Sequence, residues 1–449
     1  MLTYELKKEP GLPLYEALYR CIRADILTGQ LPAGTRLPSK RALAAHLEIS
    51  KITVEGAYEQ LLSEGYIRSK EKVGYFVESV EHRMPPPPRS DPPAPPIAQH
   101  TGGVRFPFTV WSRLQREVML DLGESLLLPM PNKGIFALRQ AIADHLHAFR
   151  GMSVDPEQIL IGAGTDFLYN LLIQLLGRDV CYAVEEPGYS KIRRIYAAGG
   201  VSCISAPMDE KGVIPSALQD AHVLHISPSH HFPTGIITPV DRRQALLDWA
   251  GTERWIIEDD YDSEFRFNSH PMATMLSMDR AGRVIYMNTF SKSLAPSIRI
   301  SYMVLPPALM ERFQQQLGFY SCTVPSFEQY TLARFLSQGH FEKHINRSRK
   351  YYKARRNRVL ALIEASPLSH RLTILEENAG LHFLLKLDTD LPDRVLEERC
   401  QQACLPFRAL SSYYHDPDSP HDTRCLVVSY AGLSDEQLIK MEQLFKLPL

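Results

Sequence analysis

The chain contains no hydrophobic run that approaches the roughly 20 apolar residues needed to cross a bilayer. Its first residues, MLTYELKKEPG, include no apolar core of a secretory signal. The seven cysteines form no CxxC pair, so neither a disulfide scaffold nor a zinc motif is indicated. These absences predict a cytoplasmic protein with reduced thiols and no membrane partner.

A net charge of one sign is also lacking. Lys and Arg number 50 against 51 Asp and Glu, which gives a formal net charge of −1. The whole chain therefore exerts no general attraction on nucleic acid, and any DNA binding must come from a local basic patch. With 44% hydrophobic residues over 449 positions, the sequence predicts two or three globular domains.

Proline is concentrated in one segment. Residues 84–96, MPPPPRSDPPAPP, contain eight prolines in thirteen positions, a composition typical of an extended polyproline II linker. A docking site for a proline-recognition domain is the alternative interpretation. We therefore expect three parts: residues 1–80 as a small domain, 81–104 as the linker, and 105–449 as the body, with a small C-terminal subdomain from about residue 330.

The small domain shows helical periodicity in its first part. Apolar residues recur at Leu14, Leu18, Ile22 and Ile26 before the stop signal Gly29, which predicts a first helix. Two serines are then expected to cap two short helices that a four-residue joint connects, a helix-turn-helix pattern. The stretch YIRSKEKVGYFVES follows and predicts two short strands around a basic tip.

These motifs resemble the winged helix-turn-helix of GntR-type transcription regulators. The resemblance rests on GQLPAGTRLPSKRxLA followed by SKITVxxAYxxLxxEGYI, and it covers residues 12–78. It implies an α+β domain that binds double-stranded operator DNA. The residues expected to approach the DNA are Arg41, Ser50, Lys51, Thr53 and, in the wing, Lys72.

In the body, short apolar runs alternate with helical stretches from Gln158 onward. This alternation predicts an α/β domain with a largely parallel sheet, whose ligands lie beyond the carboxyl ends of the strands. The turn GAGTD joins a strand to a helix, so the backbone N–H groups of Gly164, Thr165 and Asp166 are expected to cradle a phosphate.

A second segment, NTFSKSLAPSIR, places a lysine among further phosphate ligands. Thr289, Ser291 and Arg299 surround Lys292 in the sequence. An aldehyde cofactor that also carries a phosphate explains this setting, because a lysine amine condenses with a carbonyl. Pyridoxal 5'-phosphate has both an aldehyde and a phosphate.

The ring of that cofactor predicts further ligands. Asp259 in EDDYD is expected to face the pyridine nitrogen, with Tyr261, two residues on, at the phenolic oxygen, since i and i+2 share one side of an extended segment. Tyr189 is expected to stack on the ring.

The body resembles the fold-type-I aminotransferases, through PGY, FPTG, EDDYD and TFSKxLAPxxR in the family's order. The resemblance implies that Lys292 forms the internal aldimine, that Asp259 pairs with the pyridine nitrogen and Tyr261 with the ring oxygen. Thr165, Ser291 and Arg299 then bind the phosphate. A GntR-type module joined to such a domain resembles the MocR group of bacterial regulators, and the aminotransferase fold implies a homodimer.

Two positions depart from the aminotransferase pattern. Phe232 stands where these enzymes commonly carry an asparagine that contacts the ring oxygen, and Val427 stands where an arginine usually holds the substrate carboxylate. Arg424 lies an odd number of residues from Val427, so in a strand it points to the opposite face. The alternatives are carboxylate binding by Lys191, Arg193 or Arg194, or pyridoxal phosphate itself as the effector.

Three histidines cluster in LHISPSHHFPTG. His225, His230 and His231 have no carboxylate at ligand spacing in the sequence, which argues against a metal site. We expect one of them to line the cofactor pocket.

The preferred hypothesis is a homodimeric transcription regulator in which ligand chemistry at Lys292 controls operator binding, for genes of vitamin B6 or amino-acid metabolism. One alternative is a working aminotransferase with an appended DNA-binding domain. Another is a protein that senses pyridoxal phosphate. The sequence leaves open the operator, the target genes, activation or repression, the effector, and any transamination turnover.

Overall fold

The computed structural model describes residues 2–4, 6, 13–71, 73–79, 104, 106–267, 272–377, 380–415 and 422–444. The chain divides into two compact units, Met1–Ile97 and Ala98–Leu449. Lys72 and the whole proline-rich segment, residues 84–96, lie outside the described residues. The helices of the described ranges are too short or too polar to cross a bilayer.

The N-terminal unit consists of three helices and a hairpin: α1 Leu14–Leu27, α2 Lys40–His46, α3 Lys51–Ser63, β1 Ile67–Lys70 and β2 Gly74–Val77. The two strands are antiparallel, and Ile67 pairs with Val77. Both residues are buried together with Leu18 and Ile22 of α1 and Tyr58 of α3. The expected helices and two-stranded wing are thus present.

A serine caps the start of each helix of the helix-turn-helix, α2 and α3. Ser39 accepts a hydrogen bond from the N–H of Ala42 at 3.2 Å, and Ser50 accepts one from the N–H of Thr53 at 3.1 Å. Each cap satisfies a backbone donor that the first turn of a helix leaves without a partner, which stabilises the helix by about 1 kcal/mol. The caps therefore fix where the two helices begin.

The C-terminal unit contains the remaining elements in chain order. Its helices are α4 Phe108–Leu122, α5 Phe136–Arg150, α6 Thr165–Leu176, α7 Ser190–Ala198, α8 Val240–Ala250, α9 Met275–Met278, α10 Phe290–Ser293, α11 Pro307–Leu317, α12 Ser326–Ser337, α13 His340–Glu364, α14 Asp393–Gln402 and α15 Asp435–Leu444. Its strands are β3 Ile159–Gly162, β4 Tyr182–Glu186, β5 Cys203–Asp209, β6 Gly212–Val213, β7 Val223–Ile226, β8 Trp255–Asp259, β9 Val284–Thr289, β10 Ser301–Val304, β11 Leu372–Leu375, β12 His382–Leu387, β13 Arg408–Ala409 and β14 Cys425–Ser429.

The large sheet has eight strands in the order β3-β10-β9-β8-β7-β4-β5-β6. Strands β9, β8, β7, β4 and β5 run parallel, and β10 pairs antiparallel with both β3 and β9. Alternate residues enter cores on opposite faces: Ile257 and Ile285 lie in one cluster, Ile256 and Val284 in another. Because both faces are covered, the central strands are mainly apolar, and the buried polar residues of β8, Glu258 and Asp259, lie at its carboxyl end. The predicted, largely parallel sheet is confirmed.

A second, antiparallel sheet has four strands in the order β11-β12-β14-β13. The long helix α13 connects the cores of the two sheets. Phe341 and Ile345 near its start pack with the large sheet, whereas Val359 and Ile363 pack with the small one. The small sheet is thereby held at the side of the large sheet.

Candidate functional site

A cavity of about 240 Å³ lies at the carboxyl ends of the parallel strands. Segments far apart in the chain meet there, because parallel strands end at one edge of the sheet. Nine predicted cofactor ligands line the cavity: Thr165, Asp166, Tyr189, Asp259, Tyr261, Thr289, Ser291, Lys292 and Arg299. The tenth, Gly164, immediately precedes Thr165 and adjoins Arg299.

Lys292 is placed by the turn from β9 into the short helix α10. Thr289 ends β9, and its Oγ1 accepts a hydrogen bond from the N–H of Ser291 at 3.1 Å. The Oγ of Ser291 is buried and has no hydrogen-bond partner among the described residues. Lys292 is exposed and lines the cavity, so its amine is open to a ligand there.

Gly164 lies between the end of β3 and the start of α6. Its φ of +92° is in the region that favours glycine, and a Cβ at this position would lie 2.1 Å from the Nη2 of Arg299. The N–H of Gly164 donates to the carbonyl of Gly162 at 2.8 Å. In this structure Gly164 provides room for Arg299, and Thr165 and Asp166 provide the start of the helix. The role of the Gly164 N–H in a phosphate cradle stays a prediction.

Asp166 lies between two cations at the mouth of the cavity. Its Oδ2 is 2.7 Å from the Nζ of Lys191 and 3.4 Å from the Nη2 of Arg299. The three side chains are each between 38% and 46% exposed. Solvent-exposed ion pairs of this kind contribute little to stability, so a bound anion can draw the two cations away from Asp166 at small cost.

Asp259 at the end of β8 is held on one side only. Its Oδ2 accepts a hydrogen bond from the hydroxyl of Tyr169 at 2.5 Å and lies 3.6 Å from the Nε2 of His225. Its Oδ1 is buried and has no partner among the described residues. Burial, followed by the charge of Asp259, raises the pKa of Tyr169, which keeps this donor protonated. One carboxylate oxygen is thus fixed while the other is available to a ligand.

Sequence reasoning missed Tyr169, although a signal existed. Tyr169 follows Thr165 by four residues on α6, and residues at i and i+4 share one face of a helix. A search of that face beyond the phosphate turn would have found it.

Tyr261 lies beyond the end of β8, in the turn that follows it. The expectation that Asp259 and Tyr261 share one side of an extended strand is therefore wrong in its premise, although both side chains line the cavity. The Tyr261 hydroxyl lies 3.4 Å from the Nδ1 of His230, which is 2.8 Å from Asp262. Burial raises the pKa of Tyr261 well above its usual value, so its phenol remains a hydrogen-bond donor.

Asp260, between these two residues, is locked into the interior. Its Oδ2 lies 2.6 Å from the Nη2 of Arg150 and accepts a hydrogen bond from the hydroxyl of Tyr286 at 2.7 Å. Burial alone would raise the pKa of Asp260, but Arg150 and Tyr286 outweigh it and lower the pKa. This buried ion pair anchors the segment that presents Asp259.

Of the three clustered histidines, His225 lines the cavity. Its Nδ1 is 2.7 Å from the hydroxyl of Tyr196, and its Nε2 faces Asp259. Burial, and then the neighbouring His230, lower the pKa of His231 to about 3. Within the described ranges, no group of three or more His, Cys, Asp or Glu residues is arranged to hold a metal ion.

Val427 lies in a cluster of apolar side chains. Val427 on β14 is buried with Leu384, Leu410 and Cys425, and Phe232 packs against this cluster. Phe232 also lines the cavity, where its ring lies 5.9 Å from that of Tyr189. The cluster therefore forms an apolar wall behind Phe232, its one member among the residues that line the cavity.

Of the cations considered as substitutes, Lys191 and Arg193 already form ion pairs. Arg424 precedes β14 and has a φ of 52°, so the odd-offset argument, which supposed a strand, does not apply to it. Lys191 and Arg193 line the cavity, whereas Arg194 is not among the lining residues. Arg193 donates to the Oγ of Ser205 at 2.7 Å and lies 3.6 Å from Glu186.

Two further lining residues, Glu185 and His415, had no signal in the sequence pattern. His415 comes from the small sheet's part of the chain, and its N–H donates to the carboxylate of Glu186. Nearby, the N–H of Gly188 donates to the carbonyl of Tyr413 at 3.0 Å. Contacts between segments more than 200 residues apart thus close one side of the cavity.

The N-terminal unit presents its predicted DNA contacts at the start of α2 and α3. Arg41, Ser50 and Lys51 are exposed, and Thr53 is half-buried with its Oγ1 2.8 Å from that of Ser50. Lys72 lies outside the described residues, so its place in the wing remains a prediction. Glu55, one turn into α3, forms an ion pair with Lys40 at 2.6 Å.

Two family models match the chain. Residues 14–77 match the gntR family of bacterial regulatory proteins, and residues 101–441 match the class I and II aminotransferases. The second match alone covers more than half of the chain.

Curated relatives share both parts. An uncharacterised HTH-type transcriptional regulator of Bacillus subtilis, YdeL, is 36% identical over 97% of each chain. The probable rhizopine catabolism regulatory protein MocR of Rhizobium meliloti is 32% identical over 96% of this chain and 93% of its own. The pyridoxine biosynthesis regulator PdxR of Corynebacterium glutamicum is 32% identical over 88% and 87%.

Solved structures match the aminotransferase part. An archaeal alanine:glyoxylate aminotransferase superposes with a TM-score of 0.68 over 78% of this chain and 89% of its own, at 23% identity. At that identity the structural similarity establishes the fold alone, and the curated relatives establish the family. The chain belongs to the MocR-type HTH transcription regulators, in which a GntR-family domain precedes a class I and II aminotransferase domain.

Proposed function

We propose that this regulator binds pyridoxal 5'-phosphate at Lys292, and that the ligand state of this cavity controls binding of the N-terminal unit to operator DNA. One observation carries the proposal: Lys292, the half-satisfied Asp259 and the Gly164–Arg299 contact line or adjoin one cavity. Each feature suits a different group of pyridoxal 5'-phosphate: Lys292 the aldehyde, Asp259 the pyridine nitrogen, and the start of α6 with Arg299 the phosphate.

The described residues fit this cofactor. The buried Oδ1 of Asp259 and the buried Oγ of Ser291 lack partners in the described part of the chain, and such groups cost free energy until a ligand satisfies them. The position of Gly164 leaves room for the guanidinium of Arg299 at the start of α6. A helix start with an adjacent arginine suits a phosphate.

When bound, pyridoxal phosphate would supply a carbonyl that condenses with amines and a ring that delocalises charge. The chain's own residues would then have distinct tasks. Lys292 offers the amine, and Asp259, held by Tyr169, keeps a proton at the ring nitrogen. Tyr261 donates to the ring oxygen, and the phosphate is bound by Thr165, Ser291 and Arg299.

The effector is an amino acid or pyridoxal phosphate itself. The apolar wall around Val427 and the engagement of Arg193 favour an effector that needs no arginine for a carboxylate. The name of the Corynebacterium relative, a pyridoxine biosynthesis regulator, points the same way. Genes of vitamin B6 metabolism are therefore the first candidates for regulation, and genes of amino-acid metabolism the second.

We also infer a homodimer. Large apolar side chains are exposed on the C-terminal unit at Leu120, Leu127, Leu128 and Phe319, each at least 65% exposed. Exposed apolar surface of this extent is typical of interaction sites. Two copies would bring two N-terminal units to paired half-sites of one operator.

Measuring DNA binding with and without the cofactor tests the proposal. The full chain is titrated with DNA from upstream of its own gene, in buffer free of amino acids, before and after addition of pyridoxal phosphate. We expect the affinity or the footprint to change on addition of the cofactor alone. Binding that ignores the cofactor would contradict the cofactor as effector, and an amino-acid screen on the cofactor-loaded chain would then test the remaining effector class.

A variant separates the DNA contact from the cofactor site. Arg41→Ala is expected to weaken operator binding by about 5- to 150-fold, because an arginine contact to phosphate or base contributes about 1–3 kcal/mol. The visible absorption of the cofactor-loaded chain should stay unchanged. Arg312→Ala, which removes the same charge from an exposed position on α11, is the control and should leave DNA affinity unaltered. Equal affinities of Arg41→Ala and wild type would remove Arg41 from the interface.

Transaminase activity is the second candidate function. It is favoured by the lysine, the aspartate and the tyrosine that line one cavity, and disfavoured by the apolar surroundings of Val427. Incubation of the cofactor-loaded chain with an amino donor and a keto acid decides between a transaminase and a regulator without turnover. Sustained product formation supports the enzyme, and its absence supports the regulator.

A further inference from the structure

Ile52 is the most exposed of the large apolar side chains that the structure describes, at 79%. It is the second residue of α3, where an exposed helix position needs no apolar side chain for packing. Isoleucine also forms helices less readily than the lysine or alanine that would serve an exposed position. Neither core packing nor helix stability accounts for this residue.

The orientation of Ile52 follows from the buried side of α3. Val54, Tyr58 and Leu61 are fully buried against the core of the N-terminal unit. Residues 52, 55 and 59 are spaced as one helix face, and none of them is buried. This face is therefore directed away from the core, at the N-terminal end of the helix that a helix-turn-helix places in the major groove.

The surroundings of Ile52 suit DNA. Lys51, its neighbour in the chain, and Arg41 at the start of α2 are exposed and can contact phosphates, whereas the remainder of its own face is acidic. Glu55 forms an ion pair with Lys40 at 2.6 Å, and Glu59 is exposed. Carboxylates accept hydrogen bonds from the amino groups of bases but make no apolar contact. On this face, Ile52 is therefore the residue that can make an apolar contact with a base.

Among the groups that the four bases present in the major groove, the C5-methyl of thymine is the apolar one. We propose that Ile52 reads this methyl group and sets a requirement for a T·A pair at one position of each half-site. The inference rests on the proposed function, since it needs sequence-specific DNA binding by the N-terminal unit. It adds a base preference that the basic contacts do not determine.

The test uses the full chain and a random duplex pool, so no operator needs to be known. Sites enriched by the wild-type chain are resynthesised with deoxyuridine in place of one thymine at a time, which removes only the methyl group. At one position, uracil should weaken binding about fourfold per half-site, the effect of leaving one methyl group (~0.8 kcal/mol) unburied at 1.4 kcal/mol per tenfold. Substitution in both half-sites should weaken it about 15-fold.

Two variants complete the experiment. Ile52→Ala should bind thymine and uracil duplexes equally, and since the side chain is exposed, the variant should fold. Leu62→Ala, at the other end of the same helix and 41% exposed, should keep the wild-type preference. Enriched sites at which uracil has no effect at any position would overturn the thymine contact and leave the regulator function intact. A chain that enriches no sequence would overturn both.

Discussion

Replacing Lys292 by alanine is expected to abolish covalent retention of pyridoxal phosphate completely and leave operator binding in place. The reason is chemical: only an amine at the carbonyl can form the bond, and Lys292 is the lysine that adjoins Ser291 and Thr289. The measurement is the mass of the denatured protein after incubation with the cofactor and reduction by borohydride. Wild type should carry one cofactor per chain, at Lys292, and the variant none.

Lys191 provides the matched control, because it is the other lysine among the residues that line the cavity. Its Nζ is 2.7 Å from Asp166, so the amine already has a partner in the chain. Lys191→Ala should therefore retain the cofactor at Lys292. A Lys292→Ala chain that still carries the reduced cofactor would contradict the assignment. A variant whose DNA binding still responds to the cofactor as wild type does would contradict the coupling between cavity and DNA.

Asp260→Asn is expected to lower the free energy of unfolding of the C-terminal unit by about 3–5 kcal/mol. The Arg150 guanidinium is 2.6 Å from Asp260, and the two side chains are 1% and 0% exposed. Removing the carboxylate leaves a buried cation without its counter-charge, and that loss exceeds the value of the ion pair itself. Urea unfolding monitored by the circular dichroism of the full chain should show the shift in midpoint.

An exposed ion pair supplies the comparison. Asp241 lies 2.9 Å from the Nζ of Lys211, with side chains 63% and 50% exposed, and Asp241→Asn should change stability by less than about 1 kcal/mol. The double variant Arg150→Met, Asp260→Asn removes both buried charges and should recover part of the loss. A fall of similar size for Asp241→Asn and Asp260→Asn would show that burial is not the cause.

Local patterns in the sequence were sufficient for most of the fold. The helix caps at Ser39 and Ser50 involve atoms three residues apart, and the alternation of apolar strands with helices follows from side-chain periodicity. The order of motifs around Asp259 and Lys292 then located the cavity. The caps and the periodicity depend on residues a few positions apart, whereas the cavity followed from the family resemblance of motifs that are distant in the chain.

The features of the candidate site that the sequence did not predict depend on contacts between distant segments. His415 reaches the cavity through a bond to Glu186, and no periodicity relates the two positions. The hydrogen bond from the N–H of Gly164 to the carbonyl of Gly162 could not be foreseen, since it depends on the conformation of the turn between β3 and α6. The apolar wall around Val427 requires the pairing of β14 with β12 and β13, which is set by tertiary structure.

The two adjacent aspartates at the end of β8 have a consequence for how this gene can vary. Asp259 faces the cavity and Asp260 faces Arg150, because neighbouring side chains in an extended segment point in opposite directions. Loss of a single codon within Trp255–Glu258 would move Asp260 into the position of Asp259 and Asp259 into that of Glu258, so that neither carboxylate would keep its own partners. In evolution, a deletion here is therefore more damaging than a conservative substitution at either position, and codon-length changes should be tolerated only in the turns that follow.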